Sequence, residues 1–237
     1  MKENLLFSLL IVEIVIITGC SAASQSSIVL ESSSPQQKTA CWTEEVYTSD
    51  LRALSNTNSD DAARAKQQLL NISASSHQCR AQVVSVLMKA MDKPNLNFRE
   101  DFESYRLWRN GAEILGELKA TESLDLLISN LNLTGRDFST SMKHQPALLA
   151  VIMIGPPAIP KLQFVLQHNS NTGMRYSAVF CLAAIGGTPA VQSLQEAREK
   201  ERDKCVLKFI NTSLDNFDGN GQLKNRADWF SAVVCSE

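Results

Sequence analysis

By type and spacing, the residues of this chain that could do chemistry are six cysteines, three histidines and one oxygen-rich loop. His77, His144 and His168 lie far apart, and only His77-x-Cys79 approaches a metal-ligand spacing. A zinc site needs a second such pair, and none follows. The chain holds no nucleophile elbow, phosphate loop or zinc-protease helix motif. Gly186-Gly187 reads as a helix stop rather than a phosphate cradle. The expectation is a protein that is not an enzyme and carries no cofactor. Near the C-terminus, Asn216, Asp218 and Asn220 alternate along a loop. Clustered oxygens of that kind are what a hard cation such as calcium requires.

That loop, Asn216 to Leu223, resembles the first eight positions of an EF-hand calcium loop. Oxygen side chains fall at positions one, three and five, Gly221 at the sharp turn and Leu223 at the apolar eighth place. It departs where Asn216 replaces Asp and where Ala227 stands at position twelve, with Asp228 one place late. The same residues also build a plain Asn/Asp/Gly turn between helices.

The cysteines divide into one N-terminal and five downstream residues. Cys41 and Cys79 flank a first helical block, and Cys205 and Cys235 flank the C-terminal block. Bridges within these two pairs would fasten each block, and an exported protein permits them. Spacing alone does not fix connectivity. Cys181 reads as a small buried apolar residue on the inward side of a helix.

Cys20 belongs to a different argument. Lys2 precedes an apolar stretch from Leu5 to Ile17, and Thr18-Gly19-Cys20 follows. That is the layout of a secretory signal, and the stretch is too short to span a bilayer. Ile17-Thr18-Gly19-Cys20 resembles the lipobox of bacterial lipoproteins. The resemblance implies cleavage before Cys20, its lipidation, and attachment to a membrane of the bacterial envelope, facing periplasm or exterior. Cleavage near Ala22 or Ala23 in a plainly secreted protein is one alternative, and an uncleaved anchor is the other. Residues 20–40 hold seven serines and read as a spacer after the anchor.

From Cys41 onward the apolar spacing is helical. Residues 41–98 form a first helical block. A helix over Glu44–Leu54 places Val46, Leu51 and Leu54 on one face. A second starts at Asp60-Asp61 with Ala62, Ala65, Leu69 and Leu70 inward, and a third runs from about Cys79 to Met91. No segment alternates with period two, so no strands are expected.

Residues 99–200 repeat. Ala112–Leu131, Leu149–Leu166 and Val179–Ala197 superpose, with Leu118, Ile154 and Ile185 ending a first helix. Tight turns follow at Lys119-Ala120, Gly155-Pro156 and Gly186-Gly187, and second helices start at Thr121, Pro157 and Thr188. Thr121 and Thr188 are candidate caps. These segments, and most of all Met174-Arg175-Tyr176-Ser177-Ala178 with Leu182 and Ile185-Gly186-Gly187, resemble short bacterial HEAT-like repeats. Arg175 matches the arginine common in that family, whereas Trp108 and His144 occupy its other two positions. The resemblance implies an all-α solenoid of antiparallel helix pairs, with additional N-terminal helices and a C-terminal cap over 201–237. It also implies a concave binding face on the second helices, whose outward residues would include Asp125, Lys161, Gln163, Gln192 and Glu196.

The net charge of −2 offers no excess of cations for phosphates, so nucleic acid is not an expected partner. The leading functional expectation is a lipid-anchored scaffold binding a protein or peptide. A structural subunit of an envelope complex is the alternative, followed by a calcium-binding or enzymatic protein.

Overall fold

The computed structural model describes residues 41–92, 101–133 and 145–225. They lie in one compact unit that begins at Thr39. The expectations for residues 1–40 with Cys20, and for His144, Ala227, Asp228 and Cys235, fall outside the described residues.

Three helices open the unit: α1 (Glu44–Ser55), α2 (Ser59–Ser75) and α3 (His77–Met91). The Asn58 side chain accepts from the Asp60 amide, and the Ser76 hydroxyl accepts from the Cys79 amide. Such caps satisfy donors that a helix start leaves without partners. The Ser76 cap starts α3 two residues before the expected Cys79. In α1 the buried stripe runs through Tyr47, Asp50, Leu51 and Leu54, so Val46 is left exposed rather than inward. Residues 47, 50, 51 and 54 follow the i, i+3, i+4, i+7 spacing of one helix face, and Val46 falls one place off it.

The rest forms two rows. First helices α4 (Phe102–Glu117), α6 (Pro146–Ile154), α8 (Thr172–Ile185) and α10 (Lys204–Asp215) pack one against the next. Second helices α5 (Leu124–Ser129), α7 (Ile159–His168) and α9 (Thr188–Lys200) do the same beside them. Helices α1, α2 and α3 all pack on α4, which joins the opening block to the rows. Because each pair touches mainly its neighbours, the described residues form an all-α solenoid. Position explains composition. Helix α6, PALLAVIMI, lies between α4 and α8 and is apolar on nearly every side. No single described helix is long and apolar enough to cross a membrane, and the α6–α7 segment bends by 110° at Gly155.

The first helices end where the repeat pattern places them: Leu118 caps α4, and Ile154 and Ile185 are the last residues of α6 and α8. The backbone then turns to positive φ, 51° at Lys119, 85° at Gly155 and 71° at Gly186. Glycine adopts that region freely, while a side chain there costs on the order of 1 kcal/mol.

The second helices start differently from expectation. Thr121 and Thr188 make no side-chain cap, because Ala120 and Gly187 hold the cap positions and the threonines already lie inside the turn. Helices α5 and α7 are entered through 3-10 turns at Thr121–Ser123 and Pro156–Ala158. The first is tied by the buried Ser123 hydroxyl, which donates to the Ala120 carbonyl at 2.7 Å.

Candidate functional site: the second-helix face

Adjacent second helices are joined by polar contacts near the surface. Arg80 of α3 bonds Glu122, at the entry to α5, at 2.7 Å. Lys161 of α7 meets Asp125 of α5 at 2.5 Å. Gln163 of α7 donates to Glu196 of α9 at 2.7 Å, and Gln192 donates to the other oxygen of Glu196 at 3.1 Å. The five residues expected on this face are thus brought together as cross-braces. Exposed ion pairs contribute roughly 0–1 kcal/mol each. Their role is to fix how the helices sit side by side rather than to hold the fold. At Glu122, burial opposes ionisation. Hydrogen bonds from Arg80 and from its own amide outweigh it and hold the carboxyl below its usual value.

One residue on this face stands apart. Phe164 is 65% exposed, against 40% for Phe102 and 36% for Val46, the other exposed large hydrophobics described. Its ring stacks on His168 with centroids 4.6 Å apart and planes at 26°. One helical turn separates the two residues, and the His168 Nδ1 lies 3.1 Å from the Phe164 carbonyl oxygen. Lys161, Phe164 and His168 follow the i, i+3, i+7 spacing of the outward stripe of α7.

Arg175, the family-like arginine, faces inward instead. Its guanidinium donates to both oxygens of Glu201 at 2.9 and 3.2 Å and to the Asn169 and Ser170 carbonyls at 3.0 and 3.2 Å. Those carbonyls lie in the loop just past the end of α7. Burial works against ionisation of Glu201. The Arg175 bonds and two backbone amides outweigh it, so the carboxyl titrates below its ordinary value.

Two further cations do the same work without a readable signature. Arg106 donates to the Ser55 carbonyl at 2.7 Å, closing α1, and Arg80 donates to Leu118 at 3.0 Å, closing α4. Sequence reasoning missed both, because each reaches an element at least 38 residues away. It missed Phe164 as well, which stands in an otherwise ordinary amphipathic helix.

The 216–223 loop folds into a tight turn. Asp218 Oδ1 accepts from the Asn220 and Gln222 amides, both at 2.8 Å, and Asn216 donates its side-chain amide to Thr212 at 2.7 Å. An isolated bridge pairs Phe217 with Leu223. Asn216 and Asp218 therefore engage the backbone, and Asn220 contributes its amide. The loop docks on the α8–α9 turn, where the Gly187 amide donates to the Gly221 carbonyl at 2.7 Å. A Cβ on Gly186 would lie 2.8 Å from that oxygen, which explains a glycine here beyond its φ. Among the described residues, no group of three or more His, Cys, Asp or Glu could hold a metal ion.

A disulfide joins Cys41 to Cys79 with Cα atoms 5.2 Å apart. Cys205 is also disulfide-bonded. Cys181 is free and fully buried, and burial pushes its thiol far above the ordinary range. A thiol so held is inert as a nucleophile.

A solenoid whose second helices present an exposed aromatic stack defines a helical-repeat protein with a candidate interaction face. Residues 174–199, covering most of α8 and most of α9, match the PBS lyase HEAT-like repeat family. The chain thus carries a HEAT-like repeat within its all-α solenoid. No curated protein matches the chain.

Proposed function

We propose that this chain is a non-catalytic scaffold, exported and lipid-anchored through Cys20, that binds a protein or peptide partner across its second-helix face. The observation that carries the binding reading is Phe164, a large apolar ring held outward on a face braced by polar contacts. Aromatic residues of this kind anchor interfaces. HEAT-like repeats in general serve interaction, and the repeat at 174–199 supports that role. The Cys41–Cys79 disulfide supports the export reading, since such bonds persist in oxidising compartments. The lipobox-like Ile17-Thr18-Gly19-Cys20 supports the anchor.

The test is crosslinking and capture of the tagged chain from the membrane fraction of the cells that make it, with Cys20→Ala and Phe164→Ala alongside. One partner in near-equal amount is expected, lost in Phe164→Ala. Cys20→Ala should move the chain out of the membrane fraction. A partner retained in full by Phe164→Ala would place binding elsewhere on the molecule. A Cys20→Ala chain that stays with the membrane would remove the anchor.

A further inference from the structure

A recess of about 270 Å³ opens where the C-terminal ends of α7 and α9 meet the start of α8. Gln167, His168, Arg175, Lys200, Glu201 and Arg202 are among the residues that line it. Its charges do not balance. Three of these residues are cations and Glu201 is the one carboxylate. Both oxygens of Glu201 are engaged, by Arg175 and by the Arg202 and Asp203 amides. The Arg202 guanidinium makes one long contact, 3.5 Å to the Glu201 carbonyl, and the described residues offer Lys200 no ion pair. The lining therefore carries two more positive charges than negative ones, with Asp203, which also acts on Arg175, as a further carboxylate nearby, in a chain whose net charge is −2.

The two helix ends subtract from this excess without cancelling it. Each helix C-terminus is equivalent to about half a negative charge. The one ending α7 is faced by the Arg175 guanidinium, which bonds the Asn169 and Ser170 carbonyls just past it. A positive recess remains, and its wall is continuous with the apolar stack, because His168 belongs to both. Gln167 also lines the recess, and its amide can donate and accept toward an extended backbone. The volume is below the roughly 300–1,000 Å³ of small-molecule sites. It suits a single side chain of a larger partner.

From this juxtaposition we propose that the partner is an acidic peptide segment, with a carboxylate between Lys200 and Arg202 and an apolar side chain on the Phe164–His168 stack. The proposal rests on the second-helix face as the binding surface and names the chemistry that face selects. Charge complementarity at a rim governs encounter and salt dependence, so binding weakens as ionic strength rises.

The test uses the purified full chain and fluorescence anisotropy. The probe is a labelled twelve-residue peptide of alternating Glu and Phe, beside its Gln-for-Glu counterpart. Phosphatidylcholine vesicles with phosphatidylglycerol form a separate arm. The acidic peptide should bind about tenfold more tightly than the amide version. The pair Lys200→Glu and Arg202→Glu, both exposed and so compatible with folding, should erase that preference. Phe164→Ala should weaken both peptides. Equal binding of the two peptides, still weakened by Phe164→Ala, would overturn the acidic selection and leave the face as the binding surface. Peptide binding that none of these substitutions changes would overturn both readings. Vesicle binding lost in the charge-reversed variant, without peptide binding, would overturn the proposal and assign the recess to an anionic membrane.

Discussion

The α4–α5 and α8–α9 turns do one job with different chemistry. Both end a first helix at positive φ, one with Lys119 and one with Gly186. Each repeat also relies on an arginine from outside the turn to satisfy carbonyls at a helix end. In the later repeat the Arg175 and Glu201 side chains are only 15% and 6% exposed, and the contact is bidentate. In the earlier one Arg80 and Glu122 are 26% and 42% exposed and share one contact. A solenoid needs its helix ends satisfied and its turns tight, and it does not need the same residues for either. The family resemblance is sharp only where glycine turn and buried arginine coincide.

The largest effect expected among the contacts described lies outside both turns. The Cys41–Cys79 bond closes a sequence separation of 38, which in the chain-entropy account stabilises by about 4 kcal/mol. Replacing both residues by serine should lower the unfolding free energy by that order, read as a lower denaturant midpoint. An unchanged midpoint would mean that packing on α4 alone holds the block.

Next comes Arg175→Met, which strands a buried carboxylate and should cost about 3 kcal/mol. The pH dependence has a definite sign. Glu201 is depressed in the fold, so its contribution is fully present above its unfolded value near 4.5. It is lost as pH falls through the lower folded value. The stability gap between wild type and Arg175→Met should close on acidification below 4.5. A gap constant down to pH 2 would show that packing, not the ion pair, sets it.

Gly221→Ala follows, at about 2 kcal/mol. Its φ is 73°, and an added Cβ would sit 2.9 Å from the Gly187 backbone carbonyl carbon. Thermal unfolding should show the loss, and no loss would mean that the C-terminal loop is not seated on the α8–α9 turn. Arg80→Met is expected to be smallest, about 1 kcal/mol or less, because its partner is more exposed than Glu201. Equal costs for Arg80→Met and Arg175→Met would break the comparison.

The residues that made the fold legible are local. Ile154-Gly155-Pro156 and Ile185-Gly186-Gly187 announce a helix end and a turn within three positions, and the structure ends helices there. Lys119 gave no such local signal, since a lysine at φ 51° is chosen by context. The threonine caps failed because Thr121 enters a 3-10 turn, where Ser123 satisfies Ala120 from inside. Of the residues expected to face outward, Asp125, Lys161 and Gln192 are exposed and Gln163 and Glu196 half-buried. Their pairing was not legible, because Lys161 and Asp125 stand 36 residues apart and Gln163 and Glu196 stand 33 apart. Phe164 left no trace in the pattern: one outward aromatic changes a helical period very little.

The proposed binding surface is the second-helix face around Phe164. The direct measurement places a photo-crosslinking phenylalanine analogue at position 164 and, in a separate variant, at Val46 on the exposed side of α1. Both are irradiated in the cells that make the protein. The account predicts one discrete adduct from position 164, absent from position 46 and weakened by Lys200→Glu with Arg202→Glu. No adduct at 164, or the same adducts from both positions, would contradict it.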